Sequence, residues 1–253
     1  MTDKYSTRQI TVAENIPNIH GFRRVLIAWG QQNFRPFPWR TTTDPYQLLV
    51  AETMLHRTQA SQVLLVYQSF IEQFPDTVRL SRASRKELHR RLYSLGLRHR
   101  VDLIRQMAAE LVEKFGGKVP ESKAHLRTLP GVSDYISSAI RSFAWNLPEP
   151  ILDTNVVRVI GRIFDLETKD SSRRNPQFKK LAAILLDSKN PRAYNYAILD
   201  LADRICTSRS LPDCDNCPVI KWCAFGNRKR RKSSNALTFR NKDKYIGRKS
   251  NIK

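Results

Sequence analysis

Three sets of residues in this 253-residue chain have the types and spacing to do chemistry. Asp153 ends the apolar run Pro150-Ile151-Leu152, where a new helix should begin. A carboxylate held there can stabilise developing positive charge or orient water. Glu52 lies inside LLVAETML, with Leu48 four residues before it and Leu55 three after, so it rides on the apolar stripe of a helix. Burying an ionised carboxylate is costly; the expected response is a raised pKa, which suits a general acid. Each also has a plainer reading. Asp153 can simply N-cap the helix that starts at Thr154, a role compatible with facing a pocket. Glu52 can pair with a structural arginine. The third set is Cys206, Cys214, Cys217 and Cys223, spaced C-x7-C-x2-C-x5-C. Four thiolates in so short a loop can close around a tetrahedral Zn²⁺ or an iron–sulfur cubane. Their clustering argues for ligands rather than disulfide staples.

The elements that must position these residues are legible as helices. Between Glu52 and Asp153 lies Leu129-Pro130-Gly131-Val132-Ser133, a tight apolar hairpin joining two helical stretches. Such a turn can aim the Gly131 and Ser133 N–H groups outward at the start of the next helix, as a phosphate site. Ser133 is also a good N-cap. Phe22, Val25, Leu26 and Trp29 recur at helical spacing over 21–32, and a Pro-broken aromatic loop follows over 33–43. Asp44-Pro45 then opens the Glu52 helix in the favoured way. Further helical patterns cover 59–73, 84–94, 99–115 (closed by Gly116-Gly117), 134–145, 155–165, 176–187 and 191–204. No alternating strand pattern and no internal repeat is found. The expected fold class is all-α.

Charge narrows the partner. Forty-four Lys+Arg against 23 Asp+Glu give a formal net charge of +21, an imbalance that favours a polyanion. An anionic membrane is the rival, but no apolar stretch approaches the roughly 20 residues of a membrane span. The polar start MTDKYSTRQ is no signal peptide. An intracellular protein facing nucleic acid, cytoplasmic or nucleoid-associated, is expected. Residues 1–19 read as a flexible leader. Beyond the cysteines, 224–253 hold eleven Lys/Arg against the single acid Asp243, so 226–253 read as a basic tail that adds non-specific nucleic-acid affinity or merely solvates the protein.

The order of these features is specific: a Glu52 helix, a Leu-Pro-Gly-Val hairpin, Leu152-Asp153-x-Asn155-Val156-x-Arg158-Val159, then four cysteines. Over roughly residues 20–225 it resembles the helix-hairpin-helix DNA glycosylase superfamily. The resemblance implies a six-helix barrel lobe over 45–145, with the hairpin motif at 122–145, and a second lobe from 20–44 and 146–225. It implies a cleft that receives a flipped nucleotide, and a monomer acting on double-stranded DNA that holds a mismatched or damaged base. Asp153 matches the family's catalytic aspartate. The cysteines resemble its [4Fe–4S] loop, with one extra residue in the first gap; Zn²⁺ is the alternative. That loop, 206–223, would present basic residues such as Arg209 and Lys221 to the DNA backbone.

Tyr135 bears on the subtype. It stands where bifunctional relatives carry the lysine that attacks the sugar, and a phenol cannot form an imine, so a monofunctional enzyme is expected. Tyrosine here, Phe37-Pro38-Trp39-Arg40, Asp44-Pro45-Tyr46 and Leu55-His56-Arg57-Thr58 resemble glycosylases that remove thymine or uracil from T·G and U·G pairs. Thr58-Gln59 keeps part of an adenine-glycosylase loop, although the large β-rich domain usual in those enzymes does not follow the cysteines. The alternative is therefore removal of adenine opposite 8-oxoguanine or G; more distant is a non-catalytic DNA-binding module. On this resemblance Glu52 contacts the extruded base and Tyr135 lies against base or sugar. Arg57 fills the gap, meets the orphan guanine or contacts a phosphate, with Gln59 on the same DNA-binding loop.

Overall fold

The computed structural model describes residues 16–96, 100–208 and 210–228. Residues 1–15 of the expected leader, Arg209, and the tail beyond 228 lie outside the described residues. The described residues hold eleven α-helices with both ends defined, four short 3₁₀ turns and a further helical stretch over 224–228, with no strand among them. The all-α expectation holds. The chain divides into two compact units, 33–151 with 186–196, and the remainder around 16–32, 152–185 and 197–228.

The first of these units carries the hairpin. Its helices are α2 (Pro45–Leu55), α3 (Ala60–Gln73), α4 (Thr77–Ser81), α5 (Arg85–Leu92), α6 (Val101–Phe115), α7 (Lys123–Thr128) and α8 (Asp134–Trp145). Local signals explain the starts. Asp44 caps α2, its carboxylate accepting from Tyr46 N–H at 2.8 Å with Pro45 in the first turn. Ser84 and Glu87 form a reciprocal capping box on α5. Asp76 caps the short α4, a helix that periodicity alone does not reveal. α2 is buried almost all round, with Leu48, Leu49, Ala51 and Met54 fully enclosed. The apolar stripe expected beside Glu52 is thus a whole apolar cylinder, the pattern of a central helix. It packs against α3 and α8. The aromatic loop closes this unit from outside: Phe37 stacks on Trp39 at 4.9 Å, and Trp39 meets the edge of Tyr67 at 5.2 Å. Arg40 lies 4.8 Å over the Tyr196 ring.

The second unit holds α1 (Ile19–Gln32), α9 (Thr154–Phe164), α10 (Pro176–Leu185) and the greater part of α11 (Pro191–Arg204). Phe22 and Leu26 bury the inner face of α1 completely. Gly30 permits close approach of α11, since a methyl group there would fall 2.4 Å from Ala197 Cβ. The cysteine loop is tied back to α1 by Trp222. Its indole N–H donates to the Pro17 carbonyl at 2.7 Å, and its ring meets Phe22 edge-on at 5.7 Å. Among the described residues no helix is long and apolar enough to cross a membrane.

Candidate active site and cysteine loop

Asp153 is half-buried and caps α9 from an extended backbone conformation. One carboxylate oxygen accepts from Val156 N–H at 2.7 Å, and the other from the Asn155 side-chain amide at 2.8 Å. The carboxylate therefore has a fixed orientation, while each oxygen keeps a lone pair for a further contact. The Asn155 amide is itself oriented by Arg158, whose Nη1 donates to Asn155 Oδ1 at 3.0 Å. The remaining arms of that guanidinium reach the Cys206 carbonyl at 2.8 Å and the Ala202 carbonyl at 2.9 Å. A continuous hydrogen-bonded path thus runs from the first cysteine through Arg158 and Asn155 to Asp153. The sequence reading quoted Asn155 and Arg158 as part of a motif without giving either a role. Their spacing, two and five residues past a cap, was the available signal.

The four thiols gather in the same unit. Burial pushes the Cys217 thiol up to about 12, with Cys223, Cys206 and Cys214 adding to the rise by their charge. Burial first, then Cys206 and Cys214, raise Cys223 as well. Several donors already point at sulfur. Arg162 Nη1 lies 3.2 Å from Cys206 Sγ, Gly226 N–H 3.4 Å from Cys223 Sγ, and the Val219 N–H faces Cys217. Such donors stabilise thiolates and are the outer shell a ligated sulfur uses. Among the described residues, no three His, Cys, Asp or Glu side chains converge closely enough to hold a single metal ion. Four cysteines are the donor set of a [4Fe–4S] cluster or of a tetrahedral Zn²⁺. Lys221 is exposed on this loop.

In the other unit the hairpin turns on Gly131, whose backbone is left-handed at φ 79°. Val132 N–H closes the turn on the Leu129 carbonyl at 3.1 Å. Ser133 caps α8, accepting from Ile136 N–H at 3.2 Å. Gly131 and Ser133 are exposed, and among the described residues neither of their N–H groups is taken up by a hydrogen bond. A clamp that sequence reading did not find holds the two helices of the motif together. Glu149 accepts from Lys123 of α7 at 2.9 Å and from Arg141 of α8 at 2.8 Å. Asn195 adds bonds to Ser142 Oγ and the Glu149 carbonyl. Burial raises the Glu149 pKa, but the bonds and charges of Lys123 and Arg141 outweigh it and hold the carboxyl below its ordinary range.

Tyr135 stands half-buried in the first turn of α8, and Glu52, 5% exposed, lies near the end of α2. They are therefore carried on two helices that pack together. Arg57 is exposed between α2 and α3 in a left-handed conformation, φ 62°, unusual for a side chain of its size. Arg100 braces the turn by donating to the His56 carbonyl. Gln59 is exposed and its backbone starts α3.

The chain is similar in sequence and fold to known DNA glycosylases. The chain is 35% identical over 214 residues to a thymine-DNA glycosylase of Aeropyrum pernix, spanning 83% of this chain and 96% of that protein. It is 34% identical over 218 residues to a thymine/uracil-DNA glycosylase of Pyrobaculum aerophilum, again over 83% of this chain and 94% of the relative. Similarity to an adenine DNA glycosylase of Mycobacterium tuberculosis is 30% over 215 residues, 83% of this chain and 70% of that protein. A solved structure of a thermostable thymine-DNA glycosylase superposes with a TM-score of 0.75 at 27% identity, over 83% of this chain and 97% of that one. The family model for HhH-GPD superfamily base excision DNA repair proteins matches residues 50–183. The chain belongs to the HhH-GPD superfamily of base excision DNA repair proteins.

Proposed function

We propose that the chain is a monofunctional DNA glycosylase that hydrolyses the N-glycosidic bond of thymine or uracil in T·G and U·G pairs. The observation that carries the reading is Asp153, a carboxylate fixed by Val156 N–H and the Asn155 amide with lone pairs to spare, in a chain whose similar relatives are thymine/uracil glycosylases. Bond breaking leaves positive charge on the deoxyribose, which the Asp153 carboxylate stabilises. Water adds to C1′, its second proton is lost, and the base leaves protonated, giving a free base and an abasic site. Glu52, 5% exposed, is the residue to contact the extruded base. Tyr135 lies against base or sugar. Having no amine, it does not supply the imine that strand cleavage needs, which supports glycosylase action without a lyase step. A wobble pair opens more cheaply than a Watson–Crick pair, which supports mismatch selectivity.

The duplex is held by the outward Gly131 and Ser133 N–H groups on a phosphate of the damaged strand. Arg57, on its strained turn, enters the gap or meets the orphan guanine, and Gln59 contacts DNA beside it. Cys206, Cys214, Cys217 and Cys223 would hold a [4Fe–4S] cluster, which would rigidify the loop that presents Lys221 to the DNA backbone rather than act on the base. The protein works as a monomer inside the cell, on chromosomal DNA. One panel tests the reading: release of base from otherwise identical duplexes carrying T·G, U·G and A·8-oxoguanine. Release from the first two is expected; release from the last alone would replace the substrate assignment with adenine.

A further inference from the structure

Residues 79–91 hold six Lys/Arg, at 79, 82, 85, 86, 90 and 91, against the single acid Glu87. Glu87 is spent on its own capping box with Ser84. Arg79, Arg82, Lys86 and Arg90 are exposed, and none is held in an ion pair among the described residues. Lys86 and Arg90 stand one turn apart on α5, so their charges share a face. The charges of Arg79 and Arg90 are felt by Glu87, but one carboxylate among six cations leaves a surplus of positive charge on this face. These cations do not belong to the hairpin or to the turn at Arg57.

The placement of the patch says what would use it. Arg85 at its edge pairs with Asp102 of α6 at 2.9 Å. The next residue of α6, Leu103, packs on the hairpin turn, its Cβ lying 3.5 Å from where a methyl on Gly131 would sit. One turn of α6 therefore touches both the basic patch and the phosphate-facing hairpin, and a helix with its side chains is only about 10–12 Å across. A nucleic-acid strand gripped at Gly131 and Ser133 continues as a row of phosphates, and this cationic face is joined to that grip through one turn of α6 within the same unit.

We propose that Arg79, Arg82, Lys86 and Arg90 form a second phosphate-contacting surface that grips duplex DNA beside the segment held by the hairpin. The proposal rests on the glycosylase reading above and adds a footprint to it. The contacts are to the backbone alone, so they carry affinity and salt dependence without choosing a base. Matched and mismatched duplexes are gripped alike here, which suits an enzyme that must sample undamaged DNA before it meets a lesion.

The test is the slope of log affinity against log salt for the full chain and for R82Q/K86Q/R90Q, on one matched and one T·G duplex. Each lost phosphate contact reduces the slope by about 0.9, so a reduction of about 2 to 3 is expected, equal on both duplexes. The single-turnover excision rate at saturating protein should not change. The single variants, each with an expected loss of about 1, read the same effect should the triple variant fold poorly. An unaltered slope, or a slower saturated rate without a change in slope, overturns the second surface while leaving the glycosylase reading intact. Failure of the unsubstituted protein to release base from any duplex, with binding and its slope still measurable, removes that reading instead and leaves the surface to be judged on the slope alone.

Discussion

Two helix N-termini in this molecule use the same physics for opposite ends. At α8 the cap is Ser133, a neutral hydroxyl that satisfies one N–H and leaves the N–H groups of Gly131 and Ser133 outward. At α9 the cap is Asp153, a carboxylate that satisfies one N–H and brings its own negative charge. A helix start carries a partial positive charge of about half an electron. With a neutral cap that charge is available to an anion; with a carboxylate cap it is more than offset, and the terminus can attract a cation. On the function proposed above, the first would hold a phosphate and the second would face an oxocarbenium-like sugar. The charge of one side chain would then distinguish a binding terminus from a reacting one.

The largest effect should come from removing the charge at α9 while keeping the cap. Asp153→Ser makes that terminus like the one at α8, and Asp153→Asn keeps size and shape. Both should lower single-turnover base release by at least about 100-fold, the range found when one preorganised electrostatic contact is lost. Thermal stability of the serine variant should stay within about 1 kcal/mol, since serine is nearly as good a cap. Duplex affinity should be largely kept. Excision at the unsubstituted rate in either variant would reduce Asp153 to a cap.

Next in size is the support behind Asp153. Arg158→Lys keeps the charge but cannot reach Asn155, Cys206 and Ala202 at once, because a lysine has no planar fork. Two part-buried carbonyls compete for one ammonium, and about 1–3 kcal/mol of stability should go with each bond that is not replaced. Because Asn155 is then free to rotate, excision should slow by about tenfold at saturating enzyme, with little change in the duplex concentration needed. Melting curves and single-turnover kinetics on the same preparation separate the two effects.

Much of this was legible in the chain because the signals are local. Asp44-Pro45, Ser133 and Asp153 each announce a helix within three residues, and Gly131 marks a turn with a left-handed backbone. The four cysteines could be grouped from spacing alone. What could not be read is what depends on distant partners. Glu149 gives no local sign that it joins Lys123 to Arg141, residues 26 and 8 positions away. Residues 186–196 carry no mark placing them with 33–151, because Asn195 finds its partners 53 and 46 residues back. Glu52 was expected on one apolar stripe, yet α2 is enclosed on almost every side; a mostly apolar helix of eleven residues does not say how many neighbours will cover it.

At the α8 terminus the effect should be smaller and of a different kind. Ser133→Asp gives it the charge that α9 already has, and a carboxylate there repels the phosphate that the Gly131 and Ser133 N–H groups would bind. The loss expected is about tenfold in affinity, alike for matched and T·G duplexes, with the saturated excision rate unchanged. Fluorescence anisotropy on the two duplexes measures it; a loss confined to the T·G duplex would mean that the hairpin reads the lesion.

The smallest effect concerns the clamp that holds this terminus in place. Lys123 and Arg141 hold Glu149 below its ordinary carboxylate range despite burial, so the folded protein binds a proton there less readily than the unfolded chain. The stability this contributes is complete above the unfolded value of about 4.3 and disappears as the pH falls through the lower folded value. Lys123 is about a third exposed, at 35%, which limits the contribution to about 1 kcal/mol. Glu149→Gln should therefore melt slightly earlier than the unsubstituted protein at pH 7, and the gap should close as both are acidified below about pH 4. A gap that persists unchanged at pH 3 would mean that glutamine disturbs the packing of α7 on α8 rather than the charge. The hairpin would then be held by shape, and the contrast between the two termini would owe nothing to the carboxylate behind one of them.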